Sequence, residues 1–289
     1  MFRQMLAIID PRCDALREKA GDMPFRKAWL YVLALLALTF VAFWPGYFSK
    51  LSAKLLAHHV HAASSVLWMI LAIVQSWSIH KGQFALHRLV GLATFVLFPF
   101  FLIGGMWVIH VEATTLAGDP TSNVDNIAQF GIFDPLANIA FALLFYSGLK
   151  YRHDVQLHSR YMLATLLFVI APIGFRLLAM LIPFFGADEN FSFAMAGGNL
   201  IALVVALCLY RQAPKHGRPF LIAAAFVAAQ ALSFDTLGRL PAWGPIFASV
   251  SSLSLPFLLL LTGIVSIGLA WHGWLAGTRQ RTQKAAVVI

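Results

Sequence analysis

Eight apolar runs, at approximately 28–48, 58–79, 88–110, 127–148, 160–183, 194–211, 219–235 and 248–271, fill most of this 289-residue chain. A helix that crosses a bilayer needs about 20 mostly apolar residues. Only 11% of the residues are charged and 60% are hydrophobic, whereas soluble domains carry about 25% charged residues. In hydrocarbon every backbone polar group must be satisfied within the segment. The expectation is therefore an all-α, polytopic transmembrane helix bundle of about eight spans (28–271). Residues 1–27 are read as a cytoplasmic amphipathic segment on the membrane surface, and 272–289 as a basic cytoplasmic tail.

Charge sets the orientation. Seventeen of the 21 Lys and Arg residues fall in 1–27, 80–88, 149–160, 211–218 and 272–289. The alternate connections carry Lys50, Lys54 and Arg239 together with most of the acidic residues. Cytoplasmic loops hold the positive excess, so both termini are expected in the cytoplasm of a bacterial inner membrane. The net charge of +9 is then an orientation signal, and nucleic acid is not expected as a partner. The two cysteines, Cys13 and Cys208, both fall on the reducing side, where no disulfide is expected. The long connections 111–126 and 184–198 read as lids over an external vestibule.

A short repeat marks the inner face. Leu86-His87 is followed by Leu92-Ala93-Thr94, and Leu157-His158 by Leu163-Ala164-Thr165. Such a repeat in the same orientation implies parallel helical-hairpin units. His87 and His158 would sit at matching depth on parallel spans. Two such imidazoles can supply opposed axial ligands to a b-type haem, with Arg88 and Arg160 pairing its propionates. A quinone held between the third and fifth spans is the related expectation. A third His-Arg loop, His216-Gly217-Arg218, lacks the Leu-Ala-Thr continuation and reads as an interfacial anchor.

A second constellation lies toward the opposite face. Arg176 falls inside a span, where arginine costs about 2.5–3.5 kcal/mol at the membrane centre. Asp134 and Asp235 are its candidate partners. With Asn138, Asn199, His61, His110 and Gln75 they are expected to line a pocket for a small polar or anionic ligand, as in a transporter or receptor. His58, His61 and His110 form a candidate metal cluster, because imidazole suits zinc, copper or iron. A non-catalytic assembly or sensory subunit is the remaining alternative.

The order His61, Gln75, His87-Arg88, Gly91 resembles a widespread group of uncharacterised bacterial multi-pass membrane proteins. His158-Ser159-Arg160-Tyr161-Met162 and Arg176 resemble that group's second half, so the likeness spans roughly residues 55–180. A more distant likeness is to di-haem cytochromes b, which implies bis-histidine ligation. This chain departs from them in offering one such pair, placed at the membrane edge.

Overall fold

A computed structural model describes residues 25–119 and 126–286, and among them no strand occurs. Each apolar run forms a helix. They are α1 (Ala28–Phe43), α2 (Leu56–His80), α3 (Phe84–Gly118), α4 (Ile127–Lys150), α5 (Val155–Ala164), α6 (Leu167–Leu181), α7 (Phe191–Gln212), α8 (Arg218–Asp235) and α9 (Leu255–Ala286). The fifth run is split between α5 and α6. Among the described residues seven spans are long and apolar enough to cross a membrane, and α1 is shorter, at 16 residues. The chain is thus a polytopic membrane bundle. α1 ends just before Trp44-Pro45-Gly46; Trp44 keeps helical dihedrals, but Pro45 has no N–H with which to continue the ladder.

Several boundaries differ from the sequence expectation. The last span starts at Leu255, because Trp243–Ala248 is a separate short helix and Ser249–Ser252 a 3-10 turn. Residues 272–286, in the expected tail, continue α9 as helix. The first half of the expected lid at 111–126 is the end of α3, which runs to Gly118, and residues 120–125 lie outside the described residues. The lid at 184–198 is helical too, made of Pro183–Gly186, Asp188–Asn190 and the start of α7. The N-terminal amphipathic segment, up to residue 24, lies outside the described residues, as does Cys13.

α4 is the axis of the bundle and packs against α3, α5, α8 and α9. Its Phe133, Ala140 and Leu144 enter one apolar core with α5 to α8. Its Phe141, Phe145 and Leu149 enter another with α1, α2, α3 and α9. These sets sit at helical spacing on two faces of one helix. α6 closes the bundle against α1 and α7. At its crossing with α7, a Cβ on Gly198 would lie 2.5 Å from the Ala171 carbonyl oxygen, so glycine permits the approach. α9 presents Leu260, Ile264 and Ile267 outward, each about 60% exposed, as a helix bathed in lipid would.

The break in the fifth run falls at Thr165 and Leu166. Thr165 Oγ1 donates to Met162 O at 2.7 Å, a bond that Thr94 also makes to Gly91 O within the unbroken α3. Leu166 N–H then bonds Leu163 O, and Val169 N–H bonds Leu166 O, both three residues back. Trp68 Nε1 donates to Thr165 Oγ1 at 3.1 Å and holds the break from α2. Thr165 and Leu166 are both buried. Irregular backbone at membrane depth is tolerated where protein buries it or a cavity adjoins it.

Candidate ligand cavity within the bundle

A cavity of about 430 Å³ opens between α1, α2, α3, α4 and the α5–α6 segment. The connection between α1 and α2 covers it, through Gly46, Tyr47, Phe48 and Lys54. Tyr47 Oη and His59 Nδ1 are hydrogen-bonded at 2.8 Å, which ties this cover to the first turn of α2. Burial raises the Tyr47 phenol above its ordinary pKa, so it stays neutral at physiological pH. The cover is thus a different segment from either lid read in the sequence. α7, α8 and α9 contribute no side chain to the lining and act as a buttress.

One part of the lining is charged. Arg176 from α6, Asp134 and Asn138 from α4, Glu112 from α3, His58 and His61 from α2, and Lys54 from the cover all reach it. The Arg176 guanidinium lies 4.1 Å from the centre of the Phe43 ring and 4.3 Å from that of Phe175. Its Nη1 donates to Pro172 O at 3.0 Å. Among the described residues no carboxylate is in salt-bridge contact with it. Asp134 is nonetheless near enough to act on it electrostatically, and Glu112 on Asp134. Asn138 fits because α3 carries glycine opposite: a Cβ on Gly105 would lie 2.5 Å from Asn138 Oδ1. The remainder of the lining is aromatic, with Phe101 and Phe141 stacked at 4.0 Å and Trp68 against Phe141 at 4.8 Å.

Three polar atoms at this site, His58 Nδ1, His61 Nδ1 and Glu112 Oε2, are buried without a hydrogen-bond partner. Native proteins satisfy most buried polar groups, so each exception requires an explanation such as a bound ligand or water.

The sequence-derived pocket is thus assembled in part. Arg176, Asp134, Asn138 and His61 meet, joined by His58. Asp235 does not join them, because Arg239 one turn further on pairs with it at 2.9 Å and Ser192 Oγ donates to it at 2.7 Å. Asn199 is buried on α7 and donates to Met195 O within its own helix. Gln75 lies with the opposite histidines and donates to His87 O at 2.9 Å. His110 pairs through Nε2 with Leu253 O at 3.1 Å. Because Glu112 reaches the cavity, His110, two residues earlier, points roughly 200° around the helix. That also removes the third ligand of the His58, His61, His110 metal cluster. Among the described residues no three metal-binding side chains converge. Glu112 escapes sequence reasoning because an acidic residue after residue 110 reads as loop. The signal for it is the stripe Phe101, Gly105, Val108, Glu112 at helical spacing.

The inner histidines are placed alike. His87 Nδ1 faces Gln75 O at 3.2 Å, and His158 Nδ1 faces Gly148 O at 2.8 Å. Each imidazole thus bonds the backbone of the preceding helix, and the two are electrostatic neighbours. Thr94 repeats the Thr165 pattern by donating to Gly91 O, three residues back. Arg88 is exposed. Arg160 is buried, its Nη1 donating to Gln156 O and Oε1 at 2.9 and 2.5 Å, so that part of the guanidinium is already engaged.

Together the fold and this cavity define a multi-pass membrane protein with a polar, partly charged chamber enclosed by α1 to α6. No protein family, curated protein or solved structure matches the chain.

Proposed function

We propose that the chain binds a small polar or anionic solute in this chamber, as a transporter or ligand-binding membrane receptor does. The observation that carries this reading is Arg176: a guanidinium within a span, beside open volume, with no carboxylate in contact among the described residues. An arginine kept only for packing would be expected against its counter-ion. The broken span supports the reading, since discontinuous helices at membrane depth frame solute sites in transporters. We place the protein in a bacterial inner membrane with both termini cytoplasmic, on the distribution of Lys and Arg, so that the chamber faces outward. The test is thermal stability of the purified protein against a panel of small carboxylates, amino acids and phosphates. A ligand at 100 times its Kd stabilises by about 2.7 kcal/mol. That stabilisation should vanish in Arg176→Gln and persist in Arg239→Gln. Equal shifts in Arg176→Gln and the unaltered protein would defeat the reading.

A second reading rests on the inner histidines. With Nδ1 donating to a carbonyl, each Nε2 carries a free lone pair, which is how metal-ligating histidines are oriented by their surroundings. His87 and His158 would then hold a b-type haem, or flank a quinone. It stands second because neither histidine lines the chamber. A Soret band lost in both His87→Ala and His158→Ala would support it, and a colourless, iron-free preparation would remove the haem form.

A further inference from the structure

Resting on the reading that the chamber binds a solute, we propose that this solute is a zwitterion: one molecule with a carboxylate and an ammonium group on an apolar or aromatic body, as in an amino acid. The first ground is that the chamber offers partners of both signs. The lining carries two basic side chains, Lys54 and Arg176, and two acidic ones, Glu112 and Asp134. A zwitterion adds no net charge and offers an opposite partner to each sign.

The second ground is the state of the individual groups. Arg176 uses Nη1 on Pro172 O, which leaves guanidinium donors for a carboxylate, the geometry that suits bidentate pairing. Glu112 Oε2 is buried and accepts no hydrogen bond. An ammonium supplies three donors and no acceptor, which is what that oxygen lacks. The two ends of the ligand therefore find partners on different helices, α6 and α3.

The third ground is the wall. Trp68, Phe101 and Phe141 form one aromatic surface in the chamber. It suits an apolar body, and aromatic faces attract an ammonium carried near them. The volume of about 430 Å³ lies within the range of small-molecule sites.

The experiment compares probes that share a body and differ in charge. Phenylalanine, 3-phenylpropionate and 2-phenylethylamine form one set; alanine, propionate and ethylamine form another. Thermal shifts are titrated on the full-length protein in detergent. In the responding set the zwitterion should bind at least about tenfold more tightly than either singly charged probe, since a charged hydrogen bond contributes about 1.5–3 kcal/mol. Glu112→Gln should erase the advantage over the acid, and Arg176→Gln the advantage over the amine. Arg176→Lys should restore part of the latter. An acid or amine that matches the amino acid overturns the zwitterion while solute binding stands. The zwitterion falls likewise, and solute binding again stands, if only another solute shifts the protein in an Arg176-dependent way. If no shift in any probe depends on Arg176, solute binding at this chamber falls too.

Discussion

Arg176 and Asp134 reach the same chamber from α6 and α4, near enough to act on each other but without salt-bridge contact. Neither charge is neutralised by touch, so each depends on the other's field. Removing one side alone should be costly, and removing both should be mild. Asp134→Asn is expected to lower the melting temperature by leaving the guanidinium uncompensated. Arg176→Met in that background should recover most of the loss. Coupling between interacting residues runs about 0.5–3 kcal/mol, so a double-mutant cycle by thermal or chemical unfolding resolves it. Strict additivity would show that the two charges do not sense each other.

At the break between α5 and α6, the Thr165 hydroxyl is the acceptor for Trp68 Nε1. Thr165→Val keeps the shape but removes the acceptor for Trp68 Nε1, which lies buried beneath it. A buried donor left unpaired costs about 1–3 kcal/mol. Trp68→Phe removes the donor instead, so Thr165→Val should cost little more in that background. Equilibrium unfolding of the unaltered protein, the two single variants and the double variant tests this. An undiminished cost of Thr165→Val in the Trp68→Phe background would show that the hydroxyl acts through Met162 O alone.

The fold was largely legible because hydropathy acts over 20 residues at a time, and each of the eight apolar runs is helical in the structure. What the runs could not show is rotation about each helix axis, which packing decides. Asp235 and Asp134 are equivalent partners for Arg176 by sequence position, yet Arg239 sits one turn from Asp235 and claims it. Glu112 has the look of loop, yet α3 continues past it to Gly118. Arg176 was legible because its cost in a membrane is independent of rotation. The repeat at His87 and His158 was legible as identity; that each ring bonds the preceding helix needed the backbone.

Two glycines separate close approach from open space. A Cβ on Gly198 would meet Ala171 O at 2.5 Å and Phe175 N at 2.7 Å, both backbone atoms. They cannot rotate aside, so Gly198→Ala should push α7 from α6. Overpacking of this kind costs about 1–3 kcal/mol. Gly268, on α9, has nothing within 4 Å of such a Cβ. Gly268→Ala should be neutral or stabilising, by up to about 1 kcal/mol from helix propensity. Melting temperatures of the two variants, side by side, check the contrast. Equal effects would mean that the α6–α7 crossing is not the tight contact.

Tyr47 links the chamber's cover to alkaline stability. Burial raises its phenol above the ordinary value of 10.0. In the unfolded chain the phenol ionises near pH 10, whereas in the folded protein it holds its proton to higher pH. Between those two values the folded state binds more protons, so stability falls as pH rises. Below that window the contribution is fully present. Tyr47→Phe should therefore flatten part of the stability loss above about pH 10. At neutral pH it should cost about 0.5–1.5 kcal/mol, for the lost bond to His59. Unfolding followed from about pH 8 to 11, a range that brackets the phenol's ordinary value, measures the two effects separately on both proteins. A steeper alkaline slope in Tyr47→Phe than in the unaltered protein would show that the phenol ionises more readily when folded, with the cover open to solvent.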